Sequence, residues 1–158
     1  MVSVKEPNHD PHTHRILVVV DESCLNANLC QLVTEHIGNA DAEVLVTAPA
    51  LNKRMRHYVS DTDDADRRAD RVLSDTLDCM RRHGISARGQ RGDPDPLMAM
   101  DDWLSDFAAD EIIIATHPAD QLNWLERDIV EKARRNFHLP VTHAVIERPR
   151  ATEGVFVP

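Results

Sequence analysis

Side chains with catalytic chemistry are present in this chain, but their spacing works against joint action. Ser23 or Cys24 with His36 would supply a nucleophile and a base, yet they stand thirteen and twelve residues apart. On one helix that separation exceeds three turns, too far for a hydrogen bond. Asp101-Asp102 is a pair of carboxylates on what reads as a helix surface, where solvation is their simplest role. Cys24, Cys30 and Cys79 are odd in number and lack Cys-x-x-Cys spacing, which favours buried free thiols over a disulfide or a zinc site. His9, His12 and His14 lie in a Pro-containing stretch without apolar periodicity and read as solvated before they read as metal ligands. Gly-x-Gly-x-x-Gly, Walker A and Gly-x-Ser-x-Gly are all absent. No catalytic constellation is therefore expected.

Length and charge narrow the classes further. A chain of 158 residues with 42% hydrophobic residues is long enough for one domain with a single core. With 27 acidic against 18 basic residues, the net charge of −9 repels phosphate backbones and anionic lipid, which argues against nucleic-acid and membrane partners. No apolar run approaches the roughly 18 residues that span a bilayer, and the first fifteen residues contain no secretory h-region. The expected location is the cytoplasm.

Apolar patterning supplies the elements that must position any site. Arg15 to Val20, Glu43 to Ala48 and Ile112 to Ala115 are short apolar runs of the kind buried on both faces of a sheet. Ile85 to Arg91 is a weaker strand whose Arg88, Gly89 and Arg91 suit a sheet edge, and Val141 to Ile146 is the last strand. Between them run helical patterns. The first carries Leu25, Leu29, Leu32 and Val33, with Ser23 as N-cap and Gly38 beyond its end. The second runs from Ala65 to Met80 and stops at Gly84, after a charged loop or helix entry from Leu51 to Asp64. The third begins at Asp95-Pro96 as N-cap and N1, and the fourth spans Trp124 to Asn136. Trp103 and Trp124 read as packing residues.

Five strands alternating with four helices predict a doubly wound α/β domain: a five-stranded parallel sheet with helices on both faces. The two most apolar strands, one and four, are expected at the centre, and if the first lies beside the fourth the order is 3-2-1-4-5. Chain direction across the sheet then reverses between the first and fourth strands, and ligands of open sheets bind at that switch point. The loops there are Asp21-Glu22-Ser23 and Thr116-His117-Pro118-Ala119-Asp120. Asp21 is either a ligand acceptor or the start of a turn, and His117-Pro118 has the same two readings. The domain is expected over residues 15–147, between tails at 1–14 and 148–158.

Several of these segments carry a family resemblance. Ile16 to Ser23 is an apolar strand ending in Asp-x-Ser; Gly92-Asp93-Pro94 precedes the third helix; Ala108 to Asp110 leads into Ile112-Ile113-Ile114; Leu139-Pro140-Val141 opens the last strand. Together they resemble the universal stress proteins, an adenine-binding α/β family of the wider HUP group, over roughly residues 15 to 147. That resemblance implies a small-ligand-binding or regulatory protein with an adenine nucleotide as ligand, Asp21 beside the adenine, and pairing of two chains along the last strand through Val141, His143 and Val145. A receiver domain shares the shape, and Asp21-Glu22 and Asp93 imitate its acidic cluster. It needs a lysine after the last strand, where Glu147 stands.

The resemblance breaks at the loop after the fourth strand. Nucleotide-binding members carry Gly-x2-Gly-x9-Gly-Ser/Thr there, in which backbone N–H groups approach phosphates. Residues 115 to 129 contain no glycine. His117-Pro118 stands near the first glycine position and Arg127-Asp128 near the final Gly-Ser, and Ala115, which opens the stretch, is counted with them among the ligand-binding candidates. Pro118 has no N–H to donate, and Asp120 and Asp128 bring negative charge toward the phosphate site. Arg127 offers a forked phosphate donor in compensation, with His117 as a second when protonated; Asp128 is otherwise a helix N-cap. The alternative expectation is a dimeric adaptor that binds no nucleotide and acts through protein contacts.

Overall fold

The computed structural model describes residues 13–20, 27–49, 59–92, 95–116 and 124–145, apart from side chains in the first turns of three helices and at the end of the fourth strand. Nine elements alternate along the chain: β1 (His14–Val20), α1 (Ala27–Ile37), β2 (Ala42–Pro49), α2 (Val59–Arg82), β3 (Ala87–Gly92), α3 (Pro96–Asp106), β4 (Glu111–Thr116), α4 (Trp124–Asn136) and β5 (Val141–Val145). The strands form one sheet in the order β3-β2-β1-β4-β5, and every pairing is parallel.

Alternation along β1 explains the two helical layers. Ile16, Val18 and Val20 point into one core with Leu29, Cys30 and Val33 of α1 and Ala69, Val72, Leu73 and Met80 of α2. Leu17 and Val19 point into the other, with Met100 of α3, Phe107 just beyond it, and Ile129, Val130 and Ala133 of α4. A strand covered on both faces has no solvent side, so its sequence reads as an unbroken apolar run. All residues from Ile16 to Val20 are buried. No helix among the described residues is long and apolar enough to cross a membrane.

Helix ends follow local chemistry. Gly38 (φ 61°) and Gly84 (φ 75°) take the left-handed conformation that ends α1 and α2, and the Gly38 N–H donates to the Thr34 carbonyl. The Asp95 side chain accepts from the Leu97 N–H at 3.0 Å, with Pro96 opening α3. α2 starts at Val59, so the second half of the charged stretch from Leu51 to Asp64 is helix. β1 starts at His14, one residue before the apolar run.

The edge strand β3 owes its glycines to packing. A Cβ on Gly89 would stand 2.6 Å from both the Val46 carbonyl oxygen and Leu73 Cδ1, and one on Gly92 2.6 Å from Thr47 Oγ1 and 2.7 Å from Ala99 Cβ. Glycine lets α2 and α3 close over this end of the sheet.

Candidate functional site

The sheet reverses direction between β1 and β4. Val20 and Ala115 are register partners at the carboxyl end of that pair. Helix α1, which follows β1, packs on one face of the sheet and α4, which follows β4, packs on the other, so the chain turns to opposite faces at this reversal; the connecting residues 21–26 and 117–123 lie outside the described residues. Ala115 is 2% exposed and packs into the α1/α2 core. Asp21, His117 and Pro118 lie outside the described residues. Arg127 and Asp128 fall inside α4, which starts at Trp124, so Asp128 is not the N-cap that its residue type suggested; their side chains lie outside the described set.

Next to the reversal, β2 contributes a buried polar contact. Thr47 is fully buried, and its Oγ1 accepts from Trp103 Nε1 at 3.1 Å, which fixes α3 against the sheet. Trp103 is thus a packing residue with a satisfied N–H, as expected from its helical position. Beyond it a shallow cleft of about 170 Å³ is lined by Gln90, Arg91, Gly92, Asp102, Trp103 and Asp106. It lies at the sheet edge, away from the β1/β4 reversal, and is smaller than the roughly 300–1,000 Å³ of most ligand pockets. Arg91 there is committed to Asp70 at 2.9 Å and Asp66 at 3.7 Å.

The amino ends of the strands carry a polar cluster that patterning did not reveal. Glu111, the first residue of β4, meets His14 Nε2 through Oε2 at 2.5 Å and His36 Nδ1 through Oε1 at 2.8 Å. Asp110 accepts from the Arg15 N–H at 2.8 Å and lies 3.8 Å from His14 Nδ1. Arg15, only 4% exposed, reaches Glu43 at 3.5 Å and lies over the Phe107 ring at 5.7 Å. A carboxylate joining histidines 97 and 75 residues away in sequence leaves no local signal. The cluster ties β1, α1 and β4 together at the end opposite the reversal.

At the other side of the sheet, β5 is the edge strand among the described residues. Val141 and His143 are half-buried and Val145 is 52% exposed. Burial lowers the His143 pKa from its ordinary value, and the Arg134 charge adds to the effect.

A parallel sheet, helices on both faces and a reversal at β1/β4 define a doubly wound α/β protein. Among solved structures, the chain resembles a universal stress protein from Archaeoglobus fulgidus, with a TM-score of 0.59 and 20% identity over 82% of this chain and 92% of that one. It also resembles a protein of the universal stress protein family from Burkholderia pseudomallei, with TM-score 0.56 and 18% identity over 82% and 93%. A third likeness is to a universal stress protein family protein from Arabidopsis thaliana with AMP bound, with TM-score 0.51 and 15% identity over 87% and 93%. The chain therefore has the universal stress protein fold. No family model and no curated protein matches its sequence.

Proposed function

We propose that this chain is a small-ligand-binding or regulatory protein of the universal-stress-protein type, acting in the cytoplasm, with its ligand over the carboxyl ends of β1 and β4. The observation that carries the reading is the Val20/Ala115 reversal in a sheet of order β3-β2-β1-β4-β5, the same fold as a structure that holds AMP. An adenine nucleotide is the proposed ligand. Asp21 accepts from its amine or ribose hydroxyls, and Arg127 and His117 serve its phosphates in place of the missing glycine backbone. Two chains pair along β5, where Val141, His143 and Val145 line the open edge.

The adaptor reading rests on a different observation: residues 115 to 129 hold no glycine, while among the described residues β5 is the last strand of the sheet. One experiment separates the two. Protein purified without added ligand is acid-treated and the released small molecules are identified by mass spectrometry. The same material is melted with ATP, ADP and AMP. A nucleotide that raises the melting temperature of the wild type and not of Asp21→Ala supports the pocket. An empty protein that ignores all three overturns it in favour of the adaptor.

A further inference from the structure

Helices α1 and α2 bring two of the three cysteines together. Cys30, in the first half of α1, and Cys79, one turn before the end of α2, are separated by 49 residues in sequence, yet their sulfurs are 2.7 Å apart with the Cys30 thiol donating. Their surroundings differ. Cys30 is 1% exposed among Leu29, Val33 and Met80, whereas Cys79 is partly open to solvent. His83 follows Cys79 by four residues and is exposed, with its Nδ1 3.9 Å from the Cys79 sulfur.

Two chemistries suit two sulfurs and an imidazole so placed: a soft metal ion or a disulfide. Geometry distinguishes them. Two thiolates on one tetrahedral zinc, each about 2.3 Å from the ion, stand roughly 3.7 Å apart, so the pair would have to open to admit it. His83 Nδ1 also lies 2.9 Å from the Cys79 carbonyl oxygen, which only accepts. Donating there, Nδ1 is not the metal ligand, which leaves Nε2 as the one ring nitrogen with a lone pair to give. A disulfide needs the sulfurs to close to about 2.05 Å, a smaller displacement, and asks nothing of His83.

We infer that Cys30 and Cys79 form a reversible disulfide that cross-links α1 to α2, made by exchange with a small-molecule disulfide of the glutathione class. Exposure assigns the order of events. The Cys79 thiolate attacks the small disulfide, joining one half of it and releasing the other as a thiolate. The Cys30 sulfur then attacks Cys79, the Cys30–Cys79 bond forms, and the second half leaves, taking up the Cys30 proton. Two protein thiols are oxidised by two electrons and one disulfide is reduced to two small thiols. The buried Cys30 suits the second step only. At 1% exposure it is out of reach of an external disulfide but 2.7 Å from the Cys79 sulfur; desolvation, and then its contact with Cys79, push its pKa up to about 12, and the Cys79 share of that rise is gone once Cys79 carries the adduct. Disulfides that form transiently in reducing compartments are commonly of this sensing kind. The oxidised form ties the helix that follows the β1 loop to the helix that follows β2, independently of whether a nucleotide binds.

The test uses the full chain with Cys24→Ser, so that one pair of thiols remains. It is incubated with oxidised glutathione, denatured, alkylated and weighed intact. The expected product lacks both thiol hydrogens, takes up no alkylating reagent, reverts with dithiothreitol, and melts several degrees higher than the reduced form. Cys79→Ser, altered at a partly exposed position, keeps its fold by circular dichroism and forms neither cross-link nor adduct. Cys30→Ala stops at the glutathione adduct of Cys79. A wild-type pair that stays alkylatable, or that ends as a stable glutathione adduct with Cys30 still free, overturns the proposal. So does stoichiometric zinc in the purified protein that shields both thiols and is lost in His83→Ala.

Discussion

His36 Nδ1 stands 2.8 Å from Glu111 Oε1, so a residue in the last turn of α1 is held by the first residue of β4. The same carboxylate binds His14 at the start of β1. One nearly buried side chain therefore sets how α1 returns to the bottom of the sheet.

Glu111→Ala removes the acceptor of both imidazoles. Hydrogen bonds involving a charged group contribute about 1.5–3 kcal/mol, so the expected loss is about 2 kcal/mol in urea unfolding. A double-mutant cycle with His36→Ala should show coupling rather than additivity. Additive losses would mean that the contact carries no energy.

Gly89→Ala tests the closure of α2 over the edge strand. The new Cβ meets backbone at Val46 as well as the Leu73 side chain, so relaxation of one side chain cannot relieve it. Overpacking costs about 1–3 kcal/mol, which predicts a matching fall in the denaturation midpoint. Gly38→Ala, open in space but at φ 61°, should lose about 1 kcal/mol through backbone strain alone.

Asp95→Ala removes the cap of α3. About 1 kcal/mol is expected, with faster hydrogen exchange at the Leu97 amide, while Asp95→Asn retains most of the stability.

His143 predicts a pH effect. Burial, then Arg134, hold its native pKa below the unfolded value of about 6.5. As pH falls below about 6.5, the unfolded chain binds the proton first, so stability falls, and the loss is complete below the native pKa. His143→Gln should flatten that part of the profile, measured as the wild-type minus variant difference at fixed protein concentration. A difference that does not vary between pH 8 and pH 5 would remove the effect. If two chains pair along β5, the acid loss deepens with protein concentration, which analytical ultracentrifugation reads directly.

How far the sequence reaches depends on whether a feature is local. Strands β1 and β4 were legible because burial on both faces demands an uninterrupted apolar run, and α3 and α4 because Asp95-Pro96 and the Trp124 to Asn136 stripe carry their own signals. The order β3-β2-β1-β4-β5 followed from placing the most apolar strands centrally. Gly89 argued for a weak edge strand, and β3 is an edge, but the reason for the glycine lies elsewhere: Leu73 of α2 and the Val46 backbone of β2 approach too closely for a side chain.

By itself the sequence determined the alternation of elements, the two-sided burial of the central strands and the absence of glycine from residues 115 to 129, because each is written in neighbouring residues. Only the tertiary structure decided which distant groups meet. Glu111 with His14 and His36, Thr47 with Trp103, and Cys30 with Cys79 are brought together by strand order and helix packing. Residues 49 to 97 positions apart have no shared periodicity, so their chemistry appears only once the sheet is assembled.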